Sequence, residues 1–487
     1  MEAFTEGEIM EAVSPTGQYL TSSSLSIYIL AVMETELPII DDSQTLPLLH
    51  NLFLPINPRF SSIMIRDKNG DKKWKKVEVK LGDHIKVPRF ESGNNSSNLL
   101  YDEYLDEYMS KIAVEHLPQH RPLWELHIVK YPTSKGKGTL VFKLHHALGD
   151  GFSLMGALLS CMERADKASL PFTLPSSQTP KTRISNTKVP FKRLPSIFLR
   201  TLSDFGWSLL KSNLIEDDQT PIRSAAEDTK TRHINISDVS FSFDLIKEVK
   251  SKLGVSINDV LAGVIFFGIR LYMEEMSVKS REGHSTALVL LNTRNIEGYK
   301  SIKEMVEKRN SNSAWGNQYA FLHVPIPELT DSKYANPLHF IWEAHKEMTK
   351  KKTSFATPLT AMLLNTLRKL RGTEAAAKYL HSTLRNSSTT ISNMIGPVEQ
   401  MAVANIPIKG FYFMVAGSPE SLTMTIMSYM GKIRIAFGVE KDFIDKQLFK
   451  SSLENSLQII IEAARELEVV KNSCISRVVK LVLVKIG

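Results

Sequence analysis

The sequence predicts a mixed α/β protein made of two halves joined by a crossover, on three observations. At 487 residues the chain is long for one core and suits two domains of ordinary size. Segments of period two alternate with segments of helical period on both sides of its middle. Between them, 165–232 is rich in Ser, Thr, Pro and Lys, as a linker is. The divisions that follow are an N-terminal domain over 1–175, a crossover over 176–233 and a C-terminal domain over 234–487.

In the first half, 63–65 and 77–79 read as strands of a hairpin about Asn69-Gly70, a strong turn signal. The lysines at 72, 73, 75 and 76 beside it read as a solvated edge that resists sheet aggregation rather than as an anion site. His84 reads as a surface histidine. A helix is expected over 101–116, ending near Pro118, and a strand over 124–130 with Trp124, Leu126 and Ile128 on one face. A strand over 139–146 follows, with Leu140, Phe142, Leu144 and His146 on one face and Val141, Lys143 and His145 on the other. Helical spacing then resumes at Phe152, Met155, Leu158, Leu159 and Met162.

Inside the crossover, Leu194, Phe198, Leu202, Phe205 and Leu209 form one apolar helical face, while Arg193, Arg200, Asp204 and Lys211 fall largely elsewhere. Lys181, Arg183, Lys188 and Lys192 precede it. Two readings stand. A basic amphipathic helix lies in a membrane interface, or it packs on one of the domains.

The second half opens with a strand over 234–243, whose apolar phase changes near Asp238. Ser256 and Asp259 have the spacing of a capping box ahead of the apolar helix 260–269, which accounts for both residues structurally. Strands are expected over 286–292 and 321–326, with Trp315-Gly316-Asn317 turning into the latter, and a basic helix over 361–379. Met394-Ile395-Gly396-Pro397 is a strand-to-turn signal. Strands at 412–415, 422–429 and 433–439 and a helix over 449–467 complete the chain, which has no short internal repeat.

The candidate chemistry lies at 143–151, where Lys-Leu-His-His-Ala-Leu-Gly-Asp-Gly ends a strand and turns into a helix. A rigid strand with an open end is a good mount for a reactive side chain. A neutral imidazole, with an ordinary pKa of roughly 6.5, accepts a proton from a hydroxyl near neutral pH. Asp150 either orients the ring or pairs with a distant basic group and locks the turn. Gly149 and Gly151 mark a bend that a Cβ would hinder, which favours the lock. No further ligands at metal spacing accompany the histidines.

His145 to Gly151 forms HHxxxDG, which resembles the active-site motif of acyl-CoA-dependent acyltransferases related to chloramphenicol acetyltransferase, condensation domains and the plant BAHD enzymes. Ser14-Pro15, Pro122-Leu123-Trp124, 256–261 (SINDVL), Trp315-Gly316-Asn317-Gln318 and 392–397 (SNMIGP) are similar in order and approximate spacing to the plant bifunctional wax ester synthase/diacylglycerol acyltransferases. The likeness runs from Ser14 to the C-terminus. The DFGWG block of BAHD enzymes has no counterpart at the matching position; Asp204-Phe205-Gly206-Trp207 comes too early and continues with Ser208.

The resemblance implies two chloramphenicol-acetyltransferase-like domains with an active-site tunnel between them, the thioester entering from one side and the acceptor from the other. It implies an acyl-CoA co-substrate with no other cofactor, and as acceptor a long-chain alcohol or diacylglycerol. It assigns the general base to His146 rather than His145, which faces away and assists folding, and it gives Asp150 and Gly151 the holding of the loop. Trp124 is expected as packing support for the histidine strand. Asn258, Asp259 and Asn393 stand in the matching blocks, and the two asparagines are polar candidates for an oxyanion donor that the sequence does not identify. Membrane contact, and a cytosol-facing place at the endoplasmic reticulum or plasma membrane, are implied by the family alone. Alternatives are a BAHD-like transferase for a soluble alcohol or amine, and a lipid-binding protein without turnover.

Several classes lack support. The sequence has no G-x-S-x-G, H-E-x-x-H, C-x-x-C or G-x-x-x-x-G-K-[ST], so a serine acyl-enzyme, zinc hydrolysis and nucleotide hydrolysis are not expected. Two distant cysteines, Cys161 and Cys474, argue against a disulfide framework. A formal charge of +8 without a reader motif makes nucleic acid a poor partner, yet it suits an anionic membrane or CoA phosphates. The N-terminus lacks a secretory plan, and no apolar run reaches the roughly 18–20 residues that span a bilayer.

Overall fold

The computed structural model describes residues 9–68, 71–90, 98–173, 194–225, 232–294, 315–330, 336–352 and 356–486. Among them, strands form three sheets. A seven-stranded sheet runs in the order Ile85–Lys86, Trp124–Val129, Thr139–His145, Tyr28–Thr35, Ile406–Ala416, Met401–Val403, Glu163–Arg164. A six-stranded sheet runs Tyr319–Pro325, Thr286–Asn292, Thr389–Ile395, Leu422–Tyr429, Lys432–Glu440, Ile234–Ser242. The fold is the mixed α/β one the sequence predicts, with a difference: the segment 401–416 lies in the first sheet although its neighbours in sequence lie in the second. Pro-Leu-Trp leads into the strand that pairs antiparallel with the histidine strand, Trp124 opposite Leu144.

Both sheets bury a helix. In the second, Ile257–Met276 runs under the strands with Val260, Leu261, Val264, Phe266, Phe267 and Ile269 all buried. Its start is the expected capping box: Asp259 N donates to Ser256 Oγ (3.2 Å) and Ser256 N to Asp259 Oδ2 (2.8 Å). His345 Nδ1 also lies 2.8 Å from Asp259 Oδ2. Asp259 is therefore spent on the helix start. Among the described residues no single helix is long and apolar enough to cross a membrane; the bent pair Phe243–Leu253 and Ile257–Met276 passes only when taken together, and the second of these is core.

Trp124 is fully buried, its Nε1 donating to Phe60 O (2.9 Å), its ring stacked on His84 and edge-on to Phe53. An aromatic of this size contributes about 4–6 kcal/mol of burial as an upper bound. His84 is not on the surface. It is buried under that indole with Nδ1 2.7 Å from Trp124 O, and burial lowers its pKa.

Other expectations shift. The lysine run is itself the strand Lys72–Lys76, and it is the middle strand of the third sheet, between Ile9–Ala12 and Ser62–Arg66, with Trp74 buried. It is not an edge; the Asn69-Gly70 turn lies outside the described residues. The strand Ile234–Ser242 keeps one register along Lys432–Glu440 without a break. Asp238 changes the apolar phase because it is buried in an ion pair with Arg434 (2.8 Å) and also meets Lys135. The basic helix at 361–379 is two helices, Ala356–Arg371 and Thr373–Arg385, broken at Gly372, whose φ of +84° a helix does not admit.

The crossover helix Leu194–Asn213 packs on those two helices. Its buried positions are polar (Thr201, Ser208, Lys211, Ser212), Phe205 and Leu209 are half-buried, and Trp207 and Leu210 are exposed. The side chains of Leu194, Phe198 and Leu202, and the basic run 181–192, lie outside the described residues.

Candidate active site

The strand Thr139–His145 ends with two imidazoles on opposite faces, as alternation requires. His145 is fully buried. Ala147 N donates to its Nδ1 (3.0 Å), so Nε2 carries the proton, toward Ser26 Oγ at 3.2 Å. Burial first, then the neighbouring His146 and Lys72, lower its pKa to about 3. It is a neutral fixture of the strand.

His146 sits one residue beyond the strand, tied by its own N–H to Ile27 O (2.9 Å). Asn317 grips it twice: Nδ2 donates to the His146 carbonyl (3.0 Å), and Oδ1 lies 2.8 Å from ring Nδ1. A carbonyl only accepts, so the amide must present Nδ2 to it and Oδ1 to the ring. Nδ1 therefore holds the proton and Nε2 the lone pair. Burial lowers the His146 pKa, opposed by the charge of Asp150 and by the bond to Asn317. The ring meets Tyr319 edge-on at 5.4 Å. Neutral and oriented, with its lone pair on Nε2, the ring has the form that accepts a proton.

Asp150 directs its hydrogen bonds elsewhere than to the ring. It caps the helix Gly151–Ser160 by accepting from Ser153 N (3.1 Å), and it takes a two-pronged bond from Arg294, Nη1 to Oδ2 at 2.6 Å and Nη2 to Oδ1 at 2.9 Å. Gln318 N donates to Oδ2 (2.9 Å). Arg294 Nη2 also reaches Gly316 O (2.6 Å), and Trp315 Nε1 donates to Leu148 O (2.8 Å). The histidine turn of the first sheet is thus clamped to the loop that precedes the strand Tyr319–Pro325 of the second. Asp150 is the lock of the two readings, and Arg294 its partner. At Gly151 a Cβ would come within 2.6 Å of Met394 Sδ, so the methionine side chain would have to move aside for any larger residue.

Three cavities adjoin this point. A small one of about 40 Å³ is lined by His146, Tyr319, Phe321, Ser392, Ser418 and Thr423, among others. Tyr319 and Phe321 also line a cavity of about 510 Å³, walled by Tyr19, Leu322, Ala361, Leu364 and Leu380. Ser418 is shared with a third, of about 570 Å³, on whose walls stand Arg66, Lys72, Arg232, His116 and His381, with no carboxylate among the described lining residues. The small cavity at His146 thus shares lining residues with a mainly apolar space and with a cationic one.

Asn258 and Asn393 are brought together, Asn393 Nδ2 donating to Asn258 Oδ1 (2.7 Å), but both are exposed and neither lines these cavities. Sequence reasoning missed Arg294, Tyr319 and the grip of Asn317. Only Asn317 carried a signal, as part of the Trp-Gly-Asn-Gln block. No group of three or more His, Cys, Asp or Glu among the described residues is arranged to hold a metal ion.

Two family models match: the wax ester synthase/diacylglycerol acyltransferase catalytic domain over residues 68–261 and the WS/DGAT C-terminal domain over 315–461. Wax ester synthase/diacylglycerol acyltransferase 4 of Arabidopsis thaliana is 29% identical over 439 residues, 85% of this chain and 83% of the relative. Among solved structures, the wax ester synthase/diacylglycerol acyltransferase from Marinobacter aquaeolei VT8 superposes with a TM-score of 0.58 at 16% identity, over 93% of this chain and 99% of the other. The starter condensation domain of rhizomide synthetase, solved with C8-CoA and Leu-SNAC, gives 0.52 at 10% identity, over 94% of each chain. At those identities the structures speak for the fold.

Proposed function

The chain belongs to the wax ester synthase/diacylglycerol acyltransferase family and is an acyltransferase, and from that premise we propose that it moves a long-chain acyl group from acyl-CoA to a long-chain alcohol, to diacylglycerol, or to both. His146 Nε2 takes the hydroxyl proton. The alcohol oxygen attacks the thioester carbonyl, and the tetrahedral intermediate breaks its C–S bond. The proton on Nε2 then passes to the leaving thiolate, which departs as CoA thiol. The observation that carries this is the double grip of Asn317, which leaves Nε2 basic on a His146 that lines a small cavity sharing walls with an apolar and a cationic one.

The cationic cavity suits the phosphates of CoA, and the apolar one suits the hydrocarbon of the acceptor. No resident cofactor enters the steps. General base catalysis supplies roughly 10²- to 10⁴-fold, and the rest comes from holding both substrates and from a donor facing the oxyanion. Ser392 and Thr423, on the small cavity with His146, are better placed for that than Asn258 or Asn393.

The same proposal extends to a cytosol-facing membrane surface at the endoplasmic reticulum or plasma membrane. Trp207 and Leu210 on the crossover helix, Leu214 just past it, and Met362 and Leu370 on the helix beside it are exposed, and Arg368, Lys369 and Arg371 lie close in sequence. Replacing these five apolar residues with serine should release the protein from sedimented vesicles; full retention would argue against membrane docking.

Labelled palmitoyl-CoA supplied with hexadecanol or with diolein, and the lipids resolved, tests the chemistry. Ester is expected from the wild type, and at least a hundredfold less from His146→Ala. Undiminished ester from that variant would refute the assignment.

A further inference from the structure

Among its described side chains, the crossover helix turns a polar stripe inward. Asp204, Ser208 and Ser212, four residues apart and so on one stripe, line the cavity of about 510 Å³, while Trp207 and Leu210 face outward. The strand Tyr319–Pro325 lines the same cavity with each residue from Tyr319 to His323. His323 lies four residues beyond Tyr319, about 13 Å along the strand from the ring that meets His146.

On the walls of this cavity three buried polar atoms have no hydrogen-bond partner: Nε2 of His323, Oδ2 of Asp204 and the Tyr379 hydroxyl. His323 is 7% exposed and the Asp204 side chain 10%. The other Asp204 oxygen stands 3.7 Å from Lys351 Nζ. The Thr383 and Ser212 hydroxyls are satisfied, Thr383 Oγ1 donating to Ser212 Oγ (2.8 Å) and Ser212 Oγ to Ser208 O (2.7 Å). A cavity meant only for hydrocarbon would carry no such orphans, since each costs stability until something bonds to it.

We propose that the His323 end of the cavity binds a second hydroxyl on the aliphatic acceptor whose reacting hydroxyl lies at His146, so that the acceptor class is a long-chain diol or hydroxylated fatty alcohol. A hydroxyl has one proton to donate to Asp204 Oδ2 and lone pairs to accept from His323 Nε2–H, so it can serve both kinds of group. An ester carbonyl only accepts and leaves Asp204 unmet, and a carboxylate is repelled by it. The proposal rests on acyl transfer at His146 and adds the identity of the acceptor.

The test is a series of α,ω-diols from octanediol to hexadecanediol, each against the monoalcohol of equal length, with palmitoyl-CoA as donor and hexadecanol as control. The wild type should favour the diol by roughly tenfold or more in kcat/KM, because a site built to bond a hydroxyl rejects the chain that lacks it. The ratio should peak at the length that spans about 13 Å. In His323→Phe and in Asp204→Leu the ratio should fall toward one. Ester from hexadecanol with no diol preference at any length would overturn the subsite alone, leaving a cavity end met by water. No ester from hexadecanol or any diol would overturn the acyl-transfer proposal, and the subsite with it.

Discussion

Replacing Asp150 by Asn isolates the lock. Asparagine keeps the shape and remains a good helix cap, so the bond from Ser153 N survives. One carboxylate oxygen becomes an amide, and a donor then faces two donors, Arg294 Nη1 and Gln318 N, if the cap oxygen stays where it is. The Arg294 side chain is 2% exposed and Asp150 7%, so the guanidinium is left buried and half-paired. Breaking one side of such a pair costs about 3–5 kcal/mol. The urea midpoint should drop accordingly, and ester formation should fall with it, because the loop that carries Asn317 is held through the same contacts. Asp150→Asn/Arg294→Met removes both partners and should recover much of the stability, a coupling readable as a double-mutant cycle. Loss of rate at an unchanged urea midpoint would refute this reasoning and mean that Asp150 acts on the imidazole directly.

Asn317→Leu removes both grips and frees the His146 tautomer; kcat should fall by roughly 30- to 200-fold, from about 2–3 kcal/mol, with KM for palmitoyl-CoA nearly unchanged. In the wild type, kcat/KM should rise with pH through a limb centred below 6.5, since the base must be neutral and burial lowers its pKa; a limb above 6.5 would contradict the site's electrostatics. Stability has the same sign: His145 is held to about 3 in the fold against 6.5 unfolded, so the unfolded chain binds the extra proton between those values. The share of this group in the urea midpoint should be flat above pH 6.5 and decline below it, by up to about 1.4 kcal/mol per unit; equal midpoints at pH 7 and pH 5 would contradict it. Trp124→Phe strands the Phe60 carbonyl and leaves a gap, and a loss of about 1–3 kcal/mol in urea unfolding is expected while the His146-dependent chemistry persists.

Local features were legible. The strand end at His145, the opposed imidazoles, the Pro-Leu-Trp strand beside them and the Ser256–Asp259 cap all follow from periodicity and short spacings. What sequence did not carry is long-range pairing. Arg294 meets Asp150 across 144 positions, and nothing near Arg294 marks it as a partner. His84 looked exposed because its cover, the Trp124 indole, comes from a strand forty residues on. The crossover helix packs on the domain, one of its two readings, but its polar stripe of Asp204, Ser208 and Ser212 lines a cavity rather than water, which spacing alone does not show.

The strand Ile406–Ala416 has a consequence for biogenesis. Tyr28–Thr35 is buried along its whole length between the histidine strand and this late arrival. Until the ribosome has released residue 416, one flank of that early strand offers its N–H and C=O groups to any passing neighbour. The first half waits on nearly four hundred residues of synthesis to close its own sheet, and a chain cut at the crossover would yield two sticky fragments rather than two domains.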